Sequence, residues 1–231
     1  MFYVMKVLND IQINKIKKYY DSAIFESGLW GGKTINLDKK NNLEADHGES
    51  YTDKKYLEVS DIIAHALEDC YDFRNYILPV SISIMNFARY TEGMYYGFHN
   101  DNSIMKHKST NDYIRTDYSC TLFLSPPTDY DGGELVLQIG NQTQSFKLDS
   151  GYAIFYPTSY IHKVTEVTRG TRDVAVFWVQ SKIRDSMIRE LICDIHEINN
   201  EYKDKLNTPE FDNLNNRLTH IFMQLRRRFS D

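Results

Sequence analysis

VSISIMNFARYTEGMYYGFHND, residues Val80 to Asp101, is where the chain changes from helical to strand texture. From Val80 to Tyr90 apolar and polar residues alternate, the period of a strand with one face buried. Glu92-Gly93 then supplies a turn, and Tyr95 to Asp101 follows as a second strand. The rhythm continues downstream. DYSCTLFLS reads as an apolar strand, TDYDGG as a turn, and ELVLQI with QTQSFKL as a hairpin across Gly140-Asn141. Asp149-Ser150-Gly151 turns into YAIFY, which Pro157 ends. HKVTEV and RDVAVFWVQS are predicted to pair across Arg169-Gly170. Roughly eight short strands between Val80 and Ser181 predict a sandwich or jelly roll.

On the N-terminal side, Phe2 to Leu8 reads as a short strand and Asn9-Asp10 as a helix start. Apolar Ile13, Ile16, Tyr20 and Ile24 recur at helical spacing, so the helix is predicted to end before Gly28. Gly31 to Asp53 is polar and reads as a long surface loop. Glu58 to Phe73 carries Val59, Ile62, Ile63, Ala66, Leu67 and Cys70 on one face, a second helix packed on the outside of a sheet. Within the strand region, Ile104 to Thr116 reads as a polar insertion. After Lys182 the helical period returns, with Met187, Leu191, Ile195 and Ile198 as one stripe. Thr208-Pro209-Glu210 offers a cap, a first-position proline and an early acid for a last helix, whose apolar side is Leu218, Ile221, Phe222 and Leu225. The fold class is thus α+β, mainly β. The predicted division is 1–78 as N-terminal strand and supporting helices, 79–181 as the β core, and 182–231 as a C-terminal helical extension.

The chain of 231 residues is 42% hydrophobic, with a net charge of −5 and a mean hydropathy of −0.51. No basic face points to nucleic acid or to a membrane surface. No stretch approaches the roughly 18 apolar residues of a membrane span, and MFYVMKVLND has too short an apolar run for a signal peptide. Cys70, Cys120 and Cys193 are far apart with no C-x-x-C, which argues against a disulfide framework or a thiolate zinc site. A reducing, cytoplasmic location is the expectation. The apolar faces of the C-terminal helices suit either packing on the core or a homodimer.

Two residues at the end of the opening stretch carry the chemistry. His99 and Asp101 are two apart, so on a strand they project an imidazole and a carboxylate the same way. A later histidine would complete a metal set, and His162 in YPTSYIHKV is the candidate. Two histidines and one carboxylate on one face of a metal leave the opposite positions open, as in non-heme Fe(II) oxygenases. His47, His65, His107, His196 and His220 lie in loops or helices and read as ordinary. Arg172 offers a fixed cation for the carboxylate of a co-substrate, and arginine binds carboxylates bidentately. If it pairs near Val167 across the predicted hairpin, it lies roughly 16 Å along the sheet from His162.

FARYTEGMYYGFHND, RTDYSCTLFLSPPTDYDGGELVL and GYAIFYPTSYIHKVTEVTRGTRDVAVFWVQS together resemble the core of the bacterial PKHD-type hydroxylases. These form part of the prolyl-4-hydroxylase-like branch of the Fe(II)/2-oxoglutarate dioxygenases. The resemblance covers roughly Pro79 to Ile195. It implies a double-stranded β-helix with His99, Asp101 and His162 on iron and Arg172 on the distal carboxylate of 2-oxoglutarate. By the same resemblance Tyr90 hydrogen-bonds the co-substrate, and Gly132, Gly133 and Glu134 form a structural turn. The implied reaction is hydroxylation of a peptidyl residue such as proline, or of a small molecule, using O2 and releasing succinate and CO2. L-ascorbate is suggested as a reductant on that resemblance alone. The contrasting reading, from another class, is a jelly-roll module that binds a metal or small acid without turnover.

Overall fold

A computed structural model describes residues 1–28, 39–46, 53–107, 112–202 and 208–231. Strand β1 (Tyr3–Lys6) leads into helix α1 (Asp10–Ser22) through a capping box. The Asn9 side chain accepts from the Gln12 backbone, and the Gln12 side chain accepts from the Asn9 backbone. The helix ends before Ile24, which is 68% exposed, and Phe25–Ser27 becomes β2. The helical period was therefore extended too far. The next helix, α2 (Lys54–Asp69), begins four residues before Glu58, because Asp53 caps it through the Tyr56 N–H. It ends at Asp69, and Phe73–Ile77 forms a π-helical turn.

Part of the predicted surface loop is sheet. Lys40–Asn41 forms β3 and Leu43–Ala45 forms β4; residues 29–38 and 47–52 of that loop lie outside the described residues. The alternating run from Val80 divides into β5 (Pro79–Ile82) and β6 (Asn86–Thr91). Ser83 separates them, its hydroxyl accepting from the Trp178 N–H in place of a ladder bond. The predicted insertion holds a small hairpin, β8 (Ile104–Lys106) with β9 (Tyr113–Arg115), whose tip at 108–111 lies outside the described residues.

Among the described residues, two larger sheets form the jelly roll. The first has nine strands: β1, β2, β4, β5, β6, β10 (Tyr118–Phe123), β11 (Tyr130–Gly132), β14 (Tyr152–Pro157) and β16 (Val167–Ser181). The second has five: β3, β7 (Tyr95–His99), β12 (Leu135–Ile139), β13 (Gln142–Phe146) and β15 (His162–Val164). Strand β10 shows why its sequence runs apolar without a break. Cys120 and Leu122 pack on the helix side with Ile16, Tyr56 and Ile63, while Phe123 packs between the sheets with Leu135, Leu137 and Val174. Both faces are covered.

The predicted hairpin across Arg169-Gly170 does not exist. Strand β16 runs unbroken through both residues, and Gly170 (φ 77°) lies opposite Tyr130 of β11. Strand β15 pairs instead with β7 and β12 in the other sheet. Arg172 faces Tyr90 on β6, not Val167, so the 16 Å estimate along one sheet does not apply.

The C-terminal extension contains α3 (Ser186–Tyr202) and α4 (Pro209–Phe229), the latter capped by Thr208 with proline in its first turn. The buried face of α3 is Arg189, Ile192 and Cys193, while Met187 is 71% exposed and Leu191 also faces outward. The predicted stripe thus points away from the core. Arg189 sets this rotation, donating to the carbonyls of Ile183 and Arg184.

Candidate functional site

The smaller sheet brings the metal-type residues together. His99 closes β7 and His162 opens β15, and the two face each other in antiparallel register. Asp101 follows His99 by two, beyond the strand end, and its carboxylate oxygens lie 3.7 Å from His99 Nε2 and 3.6 Å from His162 Nε2. One ligand-type atom from each of the three residues fits within 4.8 Å of the others. Each imidazole is oriented from behind: Nδ1 lies 2.8 Å from the Gly97 carbonyl in His99 and 3.0 Å from the Tyr160 carbonyl in His162. A donating Nδ1–H leaves the Nε2 lone pair directed at the shared centre. Burial, and then the neighbouring His162, pushes the His99 pKa down to about 4, so its ring is neutral near pH 7. Two imidazoles and a carboxylate suit a divalent first-row metal.

Several supporting groups were not singled out from the sequence. Ser119 Oγ donates to Asp101 Oδ2 at 2.6 Å and lies 3.2 Å from Thr158 Oγ1. Its signal was present as polar Ser119 and Thr121, alternating in an otherwise apolar strand. The Tyr96 ring stacks on His99, centroids 3.6 Å apart. A β-bulge places both on one face: three steps from Tyr96 to His99 oppose two from Val164 to His162. Tyr156 stands edge-on to His162 at 5.1 Å. Phe98 points outward, with Lys163 over its ring.

A cavity of about 600 Å³ opens onto His99, Asp101 and His162 and reaches Tyr90 and Arg172 on the opposite sheet. Arg172 is 1% exposed, and its guanidinium lies against the rings of Tyr90 and Phe123. Its Nε and Nη1 have no hydrogen-bond partner among the described residues. A buried cation with unsatisfied donors is costly on its own, and a carboxylate in the cavity would complete it. Arg169, by contrast, makes an exposed pair with Asp131. Burial raises the Tyr90 pKa, so its phenol keeps its proton. The other cavity wall comes from the segment expected to be loop: Lys40 and Glu44 pair at 2.7 Å, with Asn42 between them in sequence.

Residues 85–180 match the family model for the 2OG-Fe(II) oxygenase superfamily. A PKHD-type hydroxylase of Thermosynechococcus vestitus is 36% identical over 209 residues, 90% of each chain. Another, of Alteromonas mediterranea, is 33% identical over 230 residues, 100% of this chain and 99% of the relative. Among solved structures, a Trichoplax adhaerens prolyl hydroxylase in complex with a hypoxia inducible factor peptide fragment is similar in fold. Its TM-score is 0.55 at 15% identity, covering 77% of this chain and 82% of that one.

Proposed function

The chain belongs to the PKHD-type hydroxylases of the 2OG-Fe(II) oxygenase superfamily, and from that premise we propose how its own residues share the work. It is an iron(II)- and 2-oxoglutarate-dependent hydroxylase that uses O2. We assign the iron to His99, Asp101 and His162, and the distal carboxylate of 2-oxoglutarate to Arg172. The observation that carries this is one cavity joining a clustered His-Asp-His set to a buried guanidinium with partnerless nitrogens. When bound, iron and 2-oxoglutarate supply the oxidising chemistry, with release of succinate and CO2.

The protein's part is positional. Gly97 and Tyr160 carbonyls hold the imidazoles, and Ser119 fixes one oxygen of Asp101. Arg172 neutralises the far end of the diacid, and Tyr90 donates its phenol proton to the co-substrate as a hydrogen bond. The carboxamides of Asn42, Asn86, Asn100 and Asn102 line the cavity. Neutral donors and acceptors of this kind suit an amide, so the substrate we propose is a peptidyl residue such as proline, or a small molecule with similar hydrogen bonding. A binding module without turnover is not favoured, since the curated relatives are named hydroxylases.

We further propose L-ascorbate as reductant, the cytoplasm as location, and a homodimer through the outward stripe of α3. Three free thiols support the second, and exposed Met187, Leu191 and Ile198 the third. Residues 1–78 act as support, 79–181 as catalytic core and 182–231 as extension. The deciding test is anaerobic addition of Fe(II) and 2-oxoglutarate to the purified protein. A weak visible charge-transfer band should appear, and His162→Ala should lose it. Iron bound without any band would sink the assignment.

A further inference from the structure

A second concavity lies where the flanking helices meet the end of β16, and it shares no lining residue with the active-site cavity. Its volume is about 580 Å³. The π-helical turn Phe73–Ile77 supplies part of its wall, and Leu78 closes that turn at φ 54°. Leu78 is the one non-glycine residue with positive φ among the described residues. A π-helical turn and a left-handed leucine are both unfavourable backbone, and such features gather at binding sites. The Leu78 carbonyl accepts from the Lys182 N–H at 2.7 Å, which holds the turn against the end of β16.

Three cations from segments far apart in sequence line this concavity: Arg74 on the π-helical turn, Lys182 just beyond β16, and Arg226 on α4. None is paired with a carboxylate among the described residues. Glu68 is the only acid in the wall, so three cations less one carboxylate leave a double positive charge, on a chain of net charge −5. A phosphate monoester, which carries about −1.5 to −2 at pH 7, matches it. Beside the cations stands an aromatic platform. Tyr71 is 49% exposed and lines the same concavity. Its hydroxyl lies 3.2 Å from His196 Nε2 and accepts from the Asn200 carboxamide at 3.4 Å, which fixes the ring. Asn75 donates to the Tyr71 carbonyl at 2.8 Å, leaving its own carboxamide oxygen as an acceptor.

We propose that this concavity binds a nucleoside monophosphate, its phosphate among Arg74, Lys182 and Arg226 and its base stacked on the Tyr71 ring. Arginine forks and a lysine point charge suit phosphate oxygens, and an open aromatic face suits a planar base. The proposal is independent of the iron and 2-oxoglutarate assignments.

The test is calorimetric titration with adenosine 5′-monophosphate. The protein is loaded with Fe(II) and saturated with 2-oxoglutarate without oxygen, so that the active-site cavity is already filled. The nucleotide should bind, and Arg74→Gln and Lys182→Gln should each weaken it about tenfold, the scale of one charge-assisted hydrogen bond. Tyr71→Leu should weaken the nucleotide and leave inorganic phosphate unchanged. Adenosine, which lacks the phosphate, should give no measurable heat. All three side chains are exposed, so the fold should survive each change, as circular dichroism reads. Three results overturn the proposal: no binding of the nucleotide, an affinity unchanged in Arg74→Gln and Lys182→Gln, or inorganic phosphate bound as tightly as the nucleotide.

Discussion

At the scale of single residues, the site depends on Asp101 and Arg172, two opposite charges that line one cavity. Asp101 is oriented by Ser119 and lies close to both imidazoles. Asp101→Ala removes one of three donors, so succinate formation should fall to background, and full turnover in that variant would exclude Asp101 from the mechanism. On the assignment proposed above, Arg172→Ala deletes a bidentate partner of the co-substrate. The 2-oxoglutarate requirement should rise about a hundredfold, in line with two charge-assisted bonds. Two nearby cations are committed elsewhere: Lys147 to the Tyr130 carbonyl and Arg169 to Asp131. An unchanged requirement in Arg172→Ala would contradict that structural accounting.

At the scale of elements, strands are less regular than their alternation suggests, and the irregularities sit where the chemistry is. The bulge in β7 turns Tyr96 onto the His99 ring, which strict alternation would have sent to the opposite face. The β11 turn shows a similar dependence on glycine. Gly132 has φ 70°, and an added Cβ would collide with the carbonyl oxygen of Glu166. Gly132→Ala should therefore destabilise the protein by about 2 kcal/mol or more, a loss of roughly 5 °C in Tm for a chain of this size. Thermal unfolding reads this directly, and an unshifted Tm would mean that the turn relaxes without cost.

At the scale of the whole molecule, one buried carboxylate is a main tie between the core and the C-terminal extension. Asp117 accepts from the Ser181 N–H at 2.8 Å and from Arg115 Nε at 3.1 Å, and pairs with buried Arg189 at 3.3 Å. Arg115 also reaches Asp231 at the chain end. Asp117→Ala leaves Arg189 without its counter-charge, so it should cost about 3–5 kcal/mol and lower the urea midpoint. A midpoint equal to the unmodified protein would show that the extension does not depend on this bolt. Much of the site was legible beforehand. The i, i+2 spacing of His99 and Asp101 dictates a shared direction, and the run of short alternating strands dictates a two-layer β fold, because both follow from the local period of the backbone. The local hairpin across Gly140-Asn141 was legible too and is present as β12 with β13, but the pairing of strands distant in sequence was not. The hairpin predicted at Arg169-Gly170, the stripe assigned to α3 and the loop assigned to Gly31–Asp53 all failed or needed revision for one reason. A period of two or 3.6 tells which residues share a face, but not which distant segment that face meets. The sequence by itself determined which donor types the His-Asp-His set offers and that His99 and Asp101 point the same way. Only the tertiary structure decided that Arg172 would face the same cavity from the opposite sheet, with β3–β4 as the cavity wall, since those contacts join segments far apart along the chain.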